Sequence, residues 1–381
     1  MAAGPLLVQS QTSRPEVVAL ATLLQFLPWL VFGLYAGVIA DRVDRRRLMV
    51  IGNGFRAVVL AVLSTMIVAD AVNVTVVLAS LFVLGTAEVF VDTTSSTLLP
   101  MLIDHDDLGI GNSRLMFGQH GLNRLAGPAL GGLLFAVGTA VPFAAQAAGL
   151  ALAAVLVVRI GAAEVAVVHE GTRLRSDIAA GMLFVWRHRG LRILTITILA
   201  FNVTFGAAIA VLVLIARERL GLSEIGFGLL TTSSACGAVL GTMLYPRLET
   251  RLGAAGIMRA GLVVETLTHL VFASSTSLVL IFSTFFVFGI HEASWGTTMH
   301  TIRQRVTPNE LQGRVSSVYM MAVFGSLVVG SALGGVMAGV WGITAPFWFG
   351  FVGSVLILLA MWRTFGDLTA ETRGAAVVHG V

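Results

Sequence analysis

The sequence predicts an all-α membrane protein of two six-helix bundles, from three observations: long apolar runs, the positions of the arginines and an internal repeat. Hydrophobic residues make up 56% of the 381 residues and charged residues only 12%, with a mean hydropathy of +0.91. A soluble domain carries charge on roughly a quarter of its residues. Runs of about 20 apolar residues, the length that crosses a bilayer, recur along the chain. Because these runs are continuous and do not alternate, they predict helices and not a barrel.

The apolar runs divide the chain into eleven complete spans and part of a twelfth. Residues 2–9 match only the end of a span, so the first span is cut short. The predicted organisation is a six-helix bundle over 1–160, a cytoplasmic linker over 161–190, a second bundle over 191–365 and a cytoplasmic tail over 366–381. The complete spans lie near residues 16–40, 48–69, 75–98, 113–137, 139–159, 191–215, 225–246, 256–274, 277–299, 314–340 and 344–363.

The arginines predict the orientation of the spans. The chain has 24 basic residues, all arginine. If the loop Asp41–Arg47 is cytoplasmic, twenty arginines, including Arg56, fall on the cytoplasmic side and three on the other, with Arg124 inside a span. This bias predicts a multi-pass protein of the plasma (inner) membrane with a cytoplasmic C-terminus. The arginines form no basic domain, so nucleic acid is not an expected partner.

The linker and the single cysteine add little chemistry. Residues Arg173–Arg189 are amphipathic and predict an interfacial helix that joins the two bundles, with a merely solvated linker as the alternative. Cys236 stands alone, which excludes a disulfide framework and a multi-cysteine zinc site. We expect no metal.

Two halves of the chain repeat. Gly85–Glu88 aligns with Gly289–Glu292 at an offset of 204, and Gly127–Gly132 aligns with Gly330–Gly335 at 203. Parallel repeats of six spans favour alternating access around a site near the midplane. The same alignment sets Met1 opposite roughly residue 205, so about fourteen residues of the first span are expected upstream, as from a start codon assigned too far downstream.

The loop Gly37–Arg47, with the sequence GVIADRVDRRR, resembles the signature loop of the major facilitator superfamily. Asp44 stands where that signature has glycine, a variant that resembles the branch of enterobactin exporters and macrolide efflux pumps. The resemblance covers nearly the whole chain and implies the major facilitator fold. It also implies a gating role, with the residue matching Asp41 bracing a cytoplasmic gate. The gating candidates are Gly37, Asp41, Arg42, Asp44 and Arg45; Arg45–Arg47 could instead act only as topology anchors.

A second motif resembles one associated with antiporters of this superfamily. Gly127, Pro128, Gly131 and Gly132 form a GPxxGG string in the fifth span. Glycine allows close helix contact, and proline permits bending. The motif favours export over import.

Ionisable residues within the spans are candidates for proton coupling, because each needs a partner or a purpose in lipid. Glu88 and Asp92 lie four residues apart on one helix, and Arg124 lies at comparable depth on the next. We expect Arg124 to neutralise one carboxylate and the surplus carboxylate to bind a proton. The alternative is a permanently ionised structural bridge. Glu265, paired with His269 at i,i+4, and Glu292, which repeats Glu88, are further candidates.

Aromatic and polar residues near mid-span are candidates for a substrate cavity, although such residues also serve in packing. These are Phe90, Phe117, Asn202, Trp295 and Phe324. Sparse charge among apolar walls suits an amphiphilic substrate.

The expected function is proton-coupled export of a small amphiphile, such as a drug or a siderophore-like compound, by a monomer. The proton gradient is the energy source, and no cofactor is expected. Import of a nutrient on the same fold and a non-transporting sensor or assembly protein are the alternatives. No nucleotide loop, metal cluster or nucleophile triad occurs, so the chain is not expected to be an enzyme.

Overall fold

The computed structural model describes residues 3–98, 123–159, 174–308, 311–362 and 364, and this part of the chain is nearly all helical. The helices are α1 (Ala3–Gln11), α2 (Pro15–Arg42), α3 (Arg45–Val68), α4 (Val74–Leu98), α5 (Asn123–Val137), α6 (Val141–Val158), α7 (Leu174–Arg187), α8 (Arg189–Ala210), α9 (Glu224–Ser274), α10 (Leu278–Val306), α11 (Gln312–Trp341) and α12 (Ala345–Met361). A short turn at Leu212–Leu214 and a π-helical turn at Ile215–Arg219 follow α8.

The helices fall into two compact units. The first comprises Met1–Thr172 and Leu222–Leu229, and the second Arg173–Gly221 and Leu230–Val381. In the first unit, α3 packs against α4 and α6, while α2 packs against α4. In the second unit, α8 packs against both α11 and α12, and α7 packs against α11.

Several helices begin at residues whose chemistry favours a helix start. The Asp44 carboxylate accepts a hydrogen bond from the Arg47 backbone N–H at 3.0 Å, and Asn73 accepts one from Val76 at 3.0 Å. Such side chains satisfy backbone donors that have no partner inside the helix. Pro15 and Pro142 occupy first-turn positions, where the missing N–H of proline costs nothing.

Within the described residues, the predicted spans correspond to the helices. The spans predicted at 225–246 and 256–274 correspond to the two arms of α9, which are separated by non-helical backbone at Gly253 (φ 65°). Arg56, which the orientation argument assigned to the cytoplasmic side, instead lies midway along α3, so that assignment is wrong. Eight described helices are long and apolar enough to cross a membrane, with α9 counted once.

Helix α7 occupies the region predicted as amphipathic. Its Gly181 and Val185 are buried, and an added Cβ at Gly181 would lie 2.7 Å from the Arg314 carbonyl oxygen. Leu183 and Trp186 are about half exposed. One face of α7 therefore packs on the start of α11, and the other presents apolar side chains outward.

Candidate functional site

A charged cluster lies between α3 and α4 in the first unit. The guanidinium Nη2 of Arg56 lies 3.3 Å from the carboxylate Oε2 of Glu88. The two side chains are 10% and 26% exposed. Asp92, one turn further along α4, is only partly exposed. One guanidinium therefore stands beside two carboxylates within membrane-spanning helices.

Close helix packing brings this cluster together. Gly52 lies one turn before Arg56, and a Cβ at that position would collide with the Val91 side chain on α4. Only a residue without a side chain permits that approach. Asn53 is also buried on this face of α3. The glycine thus sets the spacing at which Arg56 can reach Glu88.

Sequence reasoning missed Arg56 because it counted that residue with the loops. Arg124 was instead expected to neutralise either Asp92 or Glu88; it lies at the start of α5, and its side chain is outside the described residues. The internal repeat of the sequence contained a signal that could have identified Arg56. Arg56 and Arg259 lie 203 residues apart, nearly the offset of 204 that relates Glu88 to Glu292.

The signature loop connects α2 to α3, and its charged residues hold helix ends. Asp44 caps the start of α3. Arg46 donates from Nε to the Val157 carbonyl at 3.3 Å, and its Nη2 also contacts the Val158 carbonyl. The last carbonyls of a helix lack internal partners and attract cations. The loop thereby ties the start of α3 to the end of α6.

The remaining gating candidates are less completely described. Gly37, Asp41 and Arg42 lie in the last turn and a half of α2, but their side chains are outside the described residues. Arg45 is the first residue of α3 and is partly exposed. Their gating role stays a prediction.

The GPxxGG motif lies on α5, in the first unit. A Cβ at Gly132 would lie 2.5 Å from the Glu224 carbonyl oxygen, and one at Gly228 would meet the Pro128 carbonyl carbon at 3.2 Å. Both Glu224 and Gly228 belong to this unit. Gly127 and Gly131 are half-buried. The motif therefore provides a side-chain-free surface against which the start of α9 rests.

A second ionisable cluster lies deep in the second unit. His269 Nε2 lies 2.9 Å from Glu265 Oε1, and both side chains are almost fully buried, at 3% and 1% exposed. His291 on α10 is also buried. Glu292, next to His291, is half-buried and makes contacts of its own.

The predicted cavity residues lie in different environments. Trp295 is buried in an apolar cluster of the second unit and stacks on Phe201 at 5.9 Å. Asn202 is buried beside Phe201. Phe324 is half-buried on α11, and Phe90 lies 6.3 Å from Phe32 in the first unit. Phe117 is outside the described residues. Their role in binding substrate stays a prediction.

A small cavity in the second unit lies among phenylalanines. It has a volume of about 20 Å³, enough for one water molecule, and borders Glu265, Thr268 and His269. The rest of its wall is apolar and consists of Phe205, Ala208, Ile209, Leu212, Phe272, Phe285, Phe288 and Phe347. Within the described ranges, no three histidine, cysteine or acidic side chains gather in a way that could hold a metal ion.

Many apolar helices in two units, with charged groups inside spans, define a multi-pass membrane transporter. A family model described as a transmembrane secretion effector matches residues 1–369. The chain belongs to this family, which is part of the major facilitator superfamily, and it is not an enzyme.

Relatives of this chain are efflux proteins and a siderophore transporter. The multidrug efflux pump Tap of Mycolicibacterium fortuitum is 25% identical over 91% of this chain and 86% of its own length. Macrolide efflux protein A of Streptococcus pyogenes is 23% identical, over 92% and 87%. The staphyloferrin A transporter of Staphylococcus aureus is 25% identical, over 89% and 85%.

Solved structures share the fold. The nucleoside transporter NupG superposes with a TM-score of 0.75 at 12% identity, covering 96% of this chain and 94% of its own. A bacterial homologue of the iron transporter ferroportin, in an inward-facing state, gives 0.72 at 15% identity, covering 96% and 93%. At these identities the likeness concerns the fold alone.

Proposed function

We propose that this protein exports a small amphiphilic compound in exchange for protons, by alternating access. One observation carries the proposal: Arg56 stands beside two carboxylates, Glu88 and Asp92, inside the membrane-spanning part of the first unit. One cation compensates only one of them. An uncompensated carboxylate in a span is costly, and binding a proton removes that cost because it neutralises the charge.

The cluster suits coupling because its net charge can change by one. With Arg56 and Glu88 ionised, a proton on Asp92 leaves the site neutral, and loss of that proton leaves one negative charge. A site that alternates between these states prefers a different direction of opening in each. Glu265 and Glu292 are the coupling candidates of the second half, and Arg124 remains a candidate partner in the first.

The relatives support export and an amphiphilic substrate. Two of them are named as efflux proteins, for multiple drugs and for macrolides, and a third transports a siderophore. Aromatic and uncharged polar candidates, namely Phe90, Asn202, Trp295 and Phe324, suit such a compound. Phe117 remains a further candidate for binding the substrate.

In this proposal two sequence motifs, the α2–α3 loop and the GPxxGG motif, allow the helices to change position during transport. The gate at the α2–α3 loop is braced by Asp41 and Arg42, together with Gly37, Asp44 and Arg45. The contacts of Asp44 and Arg46 with helix ends support this, since such contacts can break and re-form as a unit. Gly127, Pro128, Gly131 and Gly132 let α5 shift against its neighbour. The arginine distribution supports an inner-membrane location with this loop and the C-terminus in the cytoplasm. The proposed transporting unit is a monomer.

The test is proton flux in proteoliposomes that contain the purified full chain and an internal pH-sensitive dye. Ethidium, erythromycin and staphyloferrin A serve as probes, one for each class of relative. We expect at least one probe to drive proton movement, and Asp92→Asn or Glu88→Gln to reduce that flux by about tenfold or more.

A matched control is Asp70→Asn. Asp70 is exposed in the turn between α3 and α4, and its positive φ of 51° is tolerated by asparagine. This variant should retain the flux. Undiminished flux in both Asp92→Asn and Glu88→Gln would rule out the charged cluster as the coupling site.

A further inference from the structure

Among the described residues, no arginine compensates the buried carboxylate of Glu265. Besides His269, the basic residue on this arm of α9 is Arg259, which lies six residues from Glu265. Its guanidinium donates to the Trp362 carbonyl at 2.8 Å and stacks on the Trp362 ring. The segments of α8 over residues 193–210 and of α12 over residues 345–361 contain no ionisable residue. On α11 beyond residue 314 the only ionisable side chain is Tyr319, which lies with Arg303. The groups near Glu265 that can carry positive charge are therefore imidazoles.

Glycines make room for two histidines, namely His269, which pairs with this carboxylate, and His291, which lies against α9 one turn away. A Cβ at Gly350 would lie 2.5 Å from His269 Nδ1, and a Cβ at Gly261 would lie 2.6 Å from His291 Cε1. Gly261 lies one turn before Glu265 on the same face of α9. The absence of a side chain thus leaves space for the His269 ring against α12 and for the His291 ring against α9, one turn from Glu265.

The surroundings of the three side chains are aromatic. His291 makes edge contacts with Phe201, Phe288 and Trp295 at 5.6–6.0 Å between ring centres. His269 makes an edge contact with Phe347 at 6.3 Å. In so apolar an environment a net charge is costly, so the cluster favours the state that is neutral overall.

Several polar atoms of the cluster have no hydrogen-bond partner among the described residues. These are Glu265 Oε2, His269 Nδ1 and both ring nitrogens of His291. Unpaired buried polar atoms are rare and call for an explanation, such as a proton-transfer role or a bound water. The adjacent cavity, which borders Glu265 and His269, has room for one water molecule.

We propose that Glu265, His269 and His291 form a proton-binding site in the second unit. One carboxylate, two neutral imidazoles and one proton sum to zero charge. The proton is shared along the 2.9 Å contact between Glu265 Oε1 and His269 Nε2. His291 is the second base beside it, and it accepts the proton when the site opens. Release leaves one negative charge, which drives the next proton in.

This inference deepens the proposed function, since a second proton site matters to transport only if transport is coupled to protons. Proton binding itself can be measured without transport. Infrared difference spectra of the purified chain in lipid nanodiscs, taken as the pH is stepped from about 8 to about 5, report protonation of carboxyl and imidazole groups.

We expect a pH-dependent carboxylic acid signal from Glu265 in addition to that of Asp92, and we expect Glu265→Gln to remove the Glu265 signal alone. Replacement His291→Gln should shift the midpoint of that signal by about one pH unit, because the site then lacks its second base. The matched controls are Glu249→Gln on the other arm of α9 and the exposed His300→Gln on α10, which should leave both features unchanged.

A spectrum that Glu265→Gln leaves unaltered would overturn the inference. If that variant does not fold, Gly350→Ala gives a second test. Its methyl group would displace the His269 ring and should shift the midpoint while retaining the signal, so an unmoved midpoint also overturns it. Proton-driven efflux with no Glu265 signal removes this site alone, whereas a Glu265 signal without proton-driven efflux removes the proposed function alone.

Discussion

At the scale of single residues, burial decides what an ion pair is worth. Arg14 and Glu16 lie 2.6 Å apart, closer than the 3.3 Å between Arg56 and Glu88, but their side chains are 71% and 37% exposed. Water and salt screen an exposed pair, so it contributes little. We therefore expect loss of the longer contact, between Arg56 and Glu88, to reduce the free energy of unfolding more than loss of the contact between Arg14 and Glu16.

We expect Arg56→Leu to reduce the free energy of unfolding by about 3 kcal/mol at most, because it leaves the Glu88 carboxylate without its cation. The double variant Arg56→Leu, Glu88→Leu should recover most of that loss, since no unpaired charge remains. Thermal melting of the purified protein in detergent measures both. Arg14→Leu is the control, with an expected change of about 0.5 kcal/mol or less. Equal losses from the two single arginine variants would contradict this account.

Residue roles were predictable where a pattern repeats and were missed where they depend on packing. The i,i+4 spacing predicted the pairing of Glu265 with His269, which the structure contains at 2.9 Å. Asp44 was interpreted only as a gate residue, although its carboxylate also caps α3. Nothing in the local sequence says that Gly52 brings Arg56 to Glu88, because that contact joins two helices.

At the scale of helices, glycines at repeat-related positions hold neighbouring helices close. Gly85 on α4 faces α2, where an added Cβ would lie 3.2 Å from Pro28 Cγ. Gly289 on α10, its counterpart in the repeat, faces α9, where a Cβ would lie 2.8 Å from the Ser234 carbonyl carbon. Gly237 and Gly241 on α9 meet α10 backbone at Phe286 and Ile290 in the same way. The contact at Gly289 is tighter than the one at Gly85, and it involves backbone, which cannot rotate away as a side chain can.

We expect Gly289→Ala to destabilise the protein by about 1–3 kcal/mol, since α9 and α10 must separate to admit the methyl group. Gly296→Ala on the same helix should be neutral or stabilising by up to about 1 kcal/mol. Nothing lies within 4 Å of its Cβ position, and alanine favours a helix. Melting temperatures measured side by side compare the two. Changes of the same sign would contradict the packing role of Gly289.

At the scale of the whole molecule, hydropathy predicted the helices because a bilayer imposes their length and their polarity. The ends of α3, α8 and α10 lie within a few residues of the predicted spans at all but one position, where α10 continues to Val306. The break of α9 at Gly253 marks the boundary that separates two predicted spans. Which charged residues contact one another was less predictable, because those contacts depend on which helices pack together within each unit.

The central claim is that a proton gradient drives an amphiphile out of the cell. Inverted membrane vesicles, whose lumen corresponds to the outside, test it most directly, with ethidium, erythromycin and staphyloferrin A as probes and with vesicles lacking the protein as the control. An acid lumen should accelerate accumulation of a probe inside the vesicles, and a protonophore should abolish that acceleration. Accumulation that ignores the gradient, or an acid lumen that drives the probe out of the vesicles, would contradict the account.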